Sequence, residues 1–383
     1  MKSIDTTRTA LSITASLCLL SASVALFAPP AMAQDGFTTE QALLKVAPTG
    51  PADKPWEQYI GGGLVDTSKY KKAGPHKLCF SNASVSNPWR VVGWKVMQAE
   101  AEAEKSSVAS LQYSDAKDSD DKQISDIRAF ISGGQCDALI VSPTTSDALT
   151  PVVEEACKSM PVVVFDRSVN TTCPVTSISS IGGNAWGIAG ARYIAENLPK
   201  GGKVLMLRTA PGVDLFETRS DAAMRIFKEA GITPVGSEFT GGDNAKTKAV
   251  VSDYLSRFGQ IDAVWVDLGA MSVAVAEAFE DAGQPYPIIT GEDQEDYLQK
   301  WKNTGFKGIA PTYPAYQWRT ALQAAVKILD GKQVPGPKWV LPQPVITNEN
   351  LDQYVNLKMP PLHYALCGCE DLPGYPEAFG GKR

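Results

Sequence analysis

From His76 to about residue 345 the chain keeps one rhythm: a short apolar run, then a stretch of helical period. The runs are HKLCFS (76–81), SVASLQY (107–113), DALIVS (137–142), PVVVFD (161–166), TSISSI (176–181), KVLMLR (203–208), ITPVGSEF (232–239), DAVWVD (262–267), YPIITGED (286–293), FKGIAPT (306–312) and KWVLPQPV (338–345). Runs such as ALIV and VVVF do not alternate with polar residues, so both faces of these strands are expected to be covered. Buried strands separated by helices imply right-handed βαβ units and parallel sheets. The punctuation agrees, since Ser86-Asn87-Pro88 offers a cap and a first-turn proline, while Gly231 and Gly283 stop helices. About ten strands exceed one small doubly wound sheet, and the rhythm repeats on either side of about residue 182. The expected fold class is α/β, with two doubly wound αβα lobes built on parallel sheets.

Ligands of open parallel sheets bind beyond the carboxyl ends of the strands. The groups placed there are Asn87, Trp89 and Arg90; Ser142 and Thr144; Asp166 and Arg167; Asp214, Phe216 and Arg219; Asp267; Glu292 and Asp293; and Thr312, Tyr313 and Gln317. Carboxylates and arginines gather at these ends beside aromatics. That mixture suits a polyhydroxylated guest: Asp accepts from vicinal hydroxyls, Arg donates a planar fork, and a tryptophan face covers C–H surface. Trp89 is read as a stacking plate and Trp94 as core. Arg90 serves either as ligand donor or as an ion pair between lobes. Arg219 serves the ligand or a salt bridge to Glu217 or Asp221, and Asp267 and Asp293 line the site or cap the following helices. Replacing Asp166 or Arg219 by Ala is expected to abolish binding and leave unliganded stability nearly intact.

The amino terminus sets the compartment. Lys2 and Arg8 precede a largely apolar stretch from Ala10 to Phe27, then Pro29, Pro30 and Ala31-Met32-Ala33, the order of a cleaved secretory signal. Removing residues 1–33 takes away Lys2, Arg8 and Asp5, a net +1, so the formal charge of −6 becomes −7. A mildly acidic chain without a basic block argues against nucleic acid as partner. Six cysteines follow Cys18, and an even count in an exported chain permits disulfides in any of fifteen pairings. Two histidines, His76 and His363, and no second Cys pair at ligand spacing argue against zinc at Cys367-Gly368-Cys369. No metal or cofactor is expected.

With these residues in place the chain resembles the periplasmic sugar-binding proteins of ABC importers, of the ribose- and galactose-binding type. The resemblance rests on SNPWR (86–90), VSPTTSDAL (141–149), VVVFDR (162–167), ETRSDA (217–222) and ITGED (289–293). It implies two lobes joined by a three-segment hinge near 181–184, 309–314 and 331–338. The first lobe would hold 76–181 and 315–331, the second 182–314 and 332–347, with an N-terminal extension at 34–75 and a tail at 348–383. It places ligand contacts on Asn87, Trp89, Ser142, Asp166, Arg167, Arg219, Asp293 and Thr312. The strand-end reading adds Arg90, Phe216, Asp267 and Gln317. Arg90 stands where relatives carry a second aromatic, TGGDN (240–244) replaces another aromatic, and the DLG of 267–269 replaces an Asn. Within that fold Cys157 and Cys173 fall at one end of a lobe, which implies a disulfide between them. The implied protein is a periplasmic monomer that closes on a sugar or polyol and delivers it to a membrane permease. The rival readings are a periplasmic enzyme on a small polyhydroxylated substrate and a sugar receptor for a chemotaxis or kinase partner. The enzyme would need a nucleophile with its base or two flanking carboxylates; neither histidine lies at a strand end on the cleft side, and no serine sits in a nucleophile elbow.

Overall fold

The computed structural model describes residues 36–383, so the expected signal segment lies outside the described residues. In chain order the elements are α1 (Gly36–Leu43), β1 (Gly63–Val65), β2 (His76–Asn82), α2 (Pro88–Ala103), β3 (Val108–Asp115), α3 (Asp120–Gly133), β4 (Ala138–Ser142), α4 (Ser146–Cys157), β5 (Val162–Phe165) and β6 (Thr176–Ser179). There follow α5 (Gly183–Asn197), β7 (Val204–Arg208), α6 (Asp214–Glu229), β8 (Gly236–Phe239), α7 (Asn244–Phe258), β9 (Ala263–Val266), α8 (Ser272–Asp281), β10 (Ile288–Thr290), α9 (Glu295–Thr304) and β11 (Gly308–Pro311). The chain then forms α10 (Gln317–Leu329), β12 (Val334–Gly336), β13 (Lys338–Val340) and β14 (Val345–Thr347). No described helix is long and apolar enough to cross a membrane.

Two six-stranded sheets carry the lobes. The first has the order β13-β6-β5-β4-β2-β3 and is parallel throughout; the second has the order β14-β11-β10-β9-β7-β8, parallel except for β14 at its edge. In the first lobe, Ile140 and Val163 face a core shared with α2 and α10, while Leu139, Val141, Val162 and Val164 face a second core under α3 and α4. The period-two alternation thus fills two apolar layers, which is why these strands carry unbroken apolar runs. Each fully buried Val or Phe contributes about 1.5–3 kcal/mol.

The chain passes between lobes at Ser180–Gly182, Thr312–Tyr316 and Leu341–Pro344. The passages are tied together: Gly182 N–H donates to Gln343 Oε1 (3.1 Å), Tyr316 Oη to the Pro342 carbonyl (3.0 Å) and Thr312 Oγ1 to the Pro344 carbonyl (2.7 Å). The segment 332–347 does not all enter the second lobe. β13 adds to the first sheet beside β6 because Trp339 is buried there, its indole N–H on the Gln58 carbonyl; only β14 joins the second sheet. The third passage therefore lies several residues beyond 331–338.

The extension and the tail are ordered, and each touches both lobes. Glu40 of α1 accepts from Ala185 N–H and Asn184 Nδ2 at the start of α5, satisfying orphan donors of that helix. Further along, β1 pairs with β12, and Trp56 sits in the first lobe with its carbonyl on Thr320 Oγ1. The tail buries Leu351 in the second lobe's core, then places Cys367, Cys369 and Phe379 in that of the first. Cys157 and Cys173 are bonded as the resemblance implied, and Cys79–Cys136 and Cys367–Cys369 complete the set.

Candidate functional site

The first lobe's wall grows from the ends of β2, β4 and β5. Asn87 caps α2, its side chain accepting from Arg90 N–H (3.0 Å), and so is occupied by the backbone. Arg90, one residue into the helix after Trp89, turns inward and is 2% exposed. Its guanidinium reaches Asn82 Oδ1 (3.2 Å), Ser142 Oγ (3.1 Å) and Asp166 Oδ2. Asp166 has φ +69°, a left-handed backbone that non-glycine residues seldom adopt and that often marks a functional turn. Ser142 Oγ donates to the same Asp166 oxygen at 3.3 Å. Arg167 is exposed at the rim, donating to the Thr144 carbonyl outside this cluster.

Trp89 does not stand as an open plate. It is buried, its indole N–H on the Tyr313 carbonyl (2.8 Å) and its ring against Tyr313 and Trp318. Trp94 stacks on Tyr113 with centroids 4.1 Å apart, in keeping with a packing role.

The second lobe answers with Arg219, also 2% exposed. Its Nη1 donates to the Asp267 carbonyl (2.7 Å) and to Glu292 Oε1 (2.8 Å), and its guanidinium lies 4.4 Å from the Trp186 ring centroid. Glu217 instead pairs with Arg208, so neither it nor Asp221 is the partner anticipated for Arg219. Asp267 is buried and accepts from Thr209 N–H and Oγ1; burial pushes its carboxyl up despite those bonds. Phe216 lies half-buried in the first turn of α6.

Three expected contacts are turned elsewhere. Asp293 is fully buried and accepts from Tyr313 N–H and Leu366 N–H (both 3.1 Å), so it binds hinge and tail backbone while its neighbour Glu292 faces Arg219. Burial, with the Glu292 charge adding, raises its pKa to about 6. Thr312 spends its hydroxyl on the hinge, and Asn87 on the cap. Gln317 is fully buried with both amide atoms unpartnered, as is Arg219 Nε.

Tyr313 joins the halves. Its phenol donates to Asp166 Oδ1 (2.9 Å), and Arg219 Cζ lies 5.7 Å from its ring. Burial, with the Asp166 charge adding, pushes the phenol well above its ordinary range, so it is the donor. A polar chain thus runs from Arg90 through Asp166 and Tyr313 to Arg219 and Glu292. Tyr313 and Glu292 stand in the strand-end list, but the ligand set drawn from it held their neighbours Thr312 and Asp293; the register at the strand end separates the two in each pair. Trp186, inside α5, carries no such signal.

The histidines lie outside the chain of contacts: His76 meets Asp330 Oδ1 at 3.0 Å, and His363 is buried in the tail. Among the described residues, one group has metal-ligand types together, His363 with Cys367 and Cys369, and its sulfurs are bonded to each other.

A family model described as periplasmic binding protein domain matches residues 78–333. The ribose import binding protein RbsB of Bacillus subtilis is 29% identical over 257 residues, covering 66% of this chain and 82% of its own. That of Escherichia coli is 25% identical over 201 residues, covering 51% and 67%. Among solved structures, a periplasmic ribose ABC transporter protein from Conexibacter woesei has a TM-score of 0.63 at 22% identity, covering 74% of this chain and 95% of its own. An ABC transporter solute binding protein from Bacillus halodurans with bound myo-inositol has a TM-score of 0.62 at 19% identity, covering 74% and 98%. One from Actinobacillus succinogenes with bound D-allose has 0.62 at 20%, covering 73% and 100%. The matched segment spans most of both lobes, from β2 to the turn after α10, and the chain belongs to the periplasmic binding protein family.

Proposed function

We propose that this chain is a periplasmic receptor that captures a neutral sugar or polyol between its lobes and presents it, unchanged, to the permease of an ABC importer. One observation carries the reading: ionic groups from the two lobes meet across Tyr313 with their charges already paired, Arg90 with Asp166 and Arg219 with Glu292. A site so balanced has no net charge to match in its guest. A hydroxyl, donor and acceptor at once, can give to a carboxylate and take from a guanidinium.

The binding set in this reading is Arg90, Ser142 and Asp166 from the first lobe, Arg219 and Glu292 from the second, and Gln317 with its unpartnered amide. Trp89 and Phe216 are walls, Arg167 a rim donor, and Asp267 a positioning residue for Arg219. The guest docks on one lobe, and contacts from the other favour the closed form. Similarity to ribose import binding proteins, and to folds holding myo-inositol and D-allose, supports a polyhydroxylated guest. Residues 1–33 act as the export signal, and the receptor works as a monomer.

The test is a thermal-shift screen over pentoses, hexoses and polyols, with chromatography of the recovered ligand. A guest at a hundredfold excess over its Kd adds about 2.7 kcal/mol to the fold. A flat screen defeats the reading, and so does a sugar returned chemically altered.

A further inference from the structure

The tail buries a cluster that the cleft does not use. Cys367-Gly368-Cys369 makes a tight turn in the first lobe, with Gly368 at φ +59°, where a Cβ would stand 2.8 Å from the Tyr316 side chain and 2.9 Å from that of Trp56. Arg319 Nη1 holds the turn by the Gly368 carbonyl (2.7 Å), and the two sulfurs are bonded to each other. His363 lies beside them. Its Nε2 is 3.9 Å from Cys369 Sγ, and one ring nitrogen and the two sulfurs fall within 4.8 Å of one another. The residue is 3% exposed, and its Nδ1 has no hydrogen-bond partner. A disulfide needs no imidazole, and a buried polar ring is normally paired.

We infer that His363, Cys367 and Cys369 form a zinc site when the disulfide is open, so that this turn is closed either by a sulfur–sulfur bond or by a metal. Two thiolates and an imidazole are donors that zinc favours, and solvent takes the fourth position. Around tetrahedral zinc, with Zn–S about 2.3 Å and Zn–N about 2.0–2.1 Å, nitrogen and sulfur stand about 3.5 Å apart and two sulfurs about 3.8 Å. His363 Nε2 and Cys369 Sγ are already near that separation, and opening the bond lets the sulfurs part. Cys369 N–H donates to Cys367 Sγ (3.2 Å), the kind of outer contact that steadies a metal-bound sulfur. An external dithiol supplies two electrons and two protons, becoming a disulfide itself and leaving two cysteine thiols. Zinc then takes both as thiolates, with the lone pair of His363 Nε2, and two protons go to solvent. Two thiolates against a dication leave no net charge in a buried turn. Access runs past His363, which lines a cavity of about 320 Å³ between α2 and the tail with Asn87, Val91 and Phe379.

The test titrates zinc into the full chain, reduced with a phosphine and kept anaerobic, as wild type, His363→Ala and Cys367→Ser/Cys369→Ser. Reduced wild type is expected to hold one equivalent more zinc than the double variant, since the thiols from Cys79–Cys136 and Cys157–Cys173 are common to both. His363→Ala weakens that equivalent at least about 10-fold. Zinc raises the melting temperature of reduced wild type, and a chelator reverses the rise. Oxidised wild type takes up none at this turn. An equal zinc count in wild type and the double variant overturns the inference, as does an equivalent held as tightly without His363 or without reduction. A last measurement needs no variant: zinc slows alkylation of Cys367 and Cys369 in the reduced wild type, read by peptide mass. Equal labelling with zinc and with chelator overturns the inference whether or not the variants fold.

Discussion

Gly187 of α5 lies against the backbone carbonyl of Arg219 on α6, so close that a Cβ at 187 would stand 2.2 Å from that oxygen. The contact sets the spacing of two helices and, through it, the height of the Arg219 guanidinium over the Trp186 ring. Gly187→Ala must push α6 outward. Overpacking of this kind costs about 1–3 kcal/mol. The expected result is a lower midpoint in urea together with weakened ligand binding, read by denaturation and calorimetry on the same protein.

Arg219 and Glu292 form a buried pair, with side chains 2% and 5% exposed. Removing one partner leaves an uncompensated buried charge, at about 3–5 kcal/mol. Arg219→Ala is therefore expected to lower unliganded stability as well as abolish binding, which reverses the expectation drawn from sequence. Replacing both, as Arg219→Met with Glu292→Leu, recovers most of the stability and none of the binding. Equal stability of wild type and Arg219→Ala would falsify the pairing.

Glu295 opens α9 and accepts Asn356 N–H of the tail; burial raises its pKa from the ordinary 4.5 to about 7. The folded state holds this proton more tightly than the unfolded chain between those values, so folding loses stability as pH rises from about 4.5 to 7 and levels off above. Asp293 and Asp296, raised to about 6, act in the same direction, while His363, lowered to about 4, opposes them below its unfolded pKa. Glu295→Gln removes one titration. Across pH 4.5 to 7 its stability should improve relative to wild type, measured by parallel melts; a constant difference would sink the attribution.

The disulfides differ in loop length: 57 residues for Cys79–Cys136, 16 for Cys157–Cys173 and 2 for Cys367–Cys369. In the chain-entropy account, opening the first costs about 4 kcal/mol and the second about 3 kcal/mol. Paired Cys→Ser variants should lose urea midpoint in that order, with Cys367→Ser/Cys369→Ser the mildest.

The period and burial of the strands made two αβα lobes legible, because a strand covered on both faces cannot hide its composition. The strand-end rule likewise led to Arg90, Asp166 and Arg219. It stopped short of register. It listed both members of each pair, Glu292 with Asp293 and Thr312 with Tyr313, and the resemblance favoured Asp293 and Thr312; neighbours at a strand end point to opposite sides, and it is Glu292 that faces Arg219 and Tyr313 that meets Asp166. Trp186 enters through helix packing, which no local pattern encodes. The extension has no strand or helix rhythm to read, since Pro48, Pro51, Pro55 and the glycines at 61–63 interrupt it, and its anchors Phe37 and Trp56 take places set by distant residues.

The extension and tail have a mechanical consequence. A receptor of this architecture swings about three covalent threads, and here two more cables are moored on both banks, the extension by Glu40 on the second lobe and Trp56 on the first, the tail by Leu351 on the second and Cys369 on the first. Every such mooring trims the orientations open to the empty molecule. Less freedom then remains to be surrendered on capture, and more of the contact energy is left for holding the cargo.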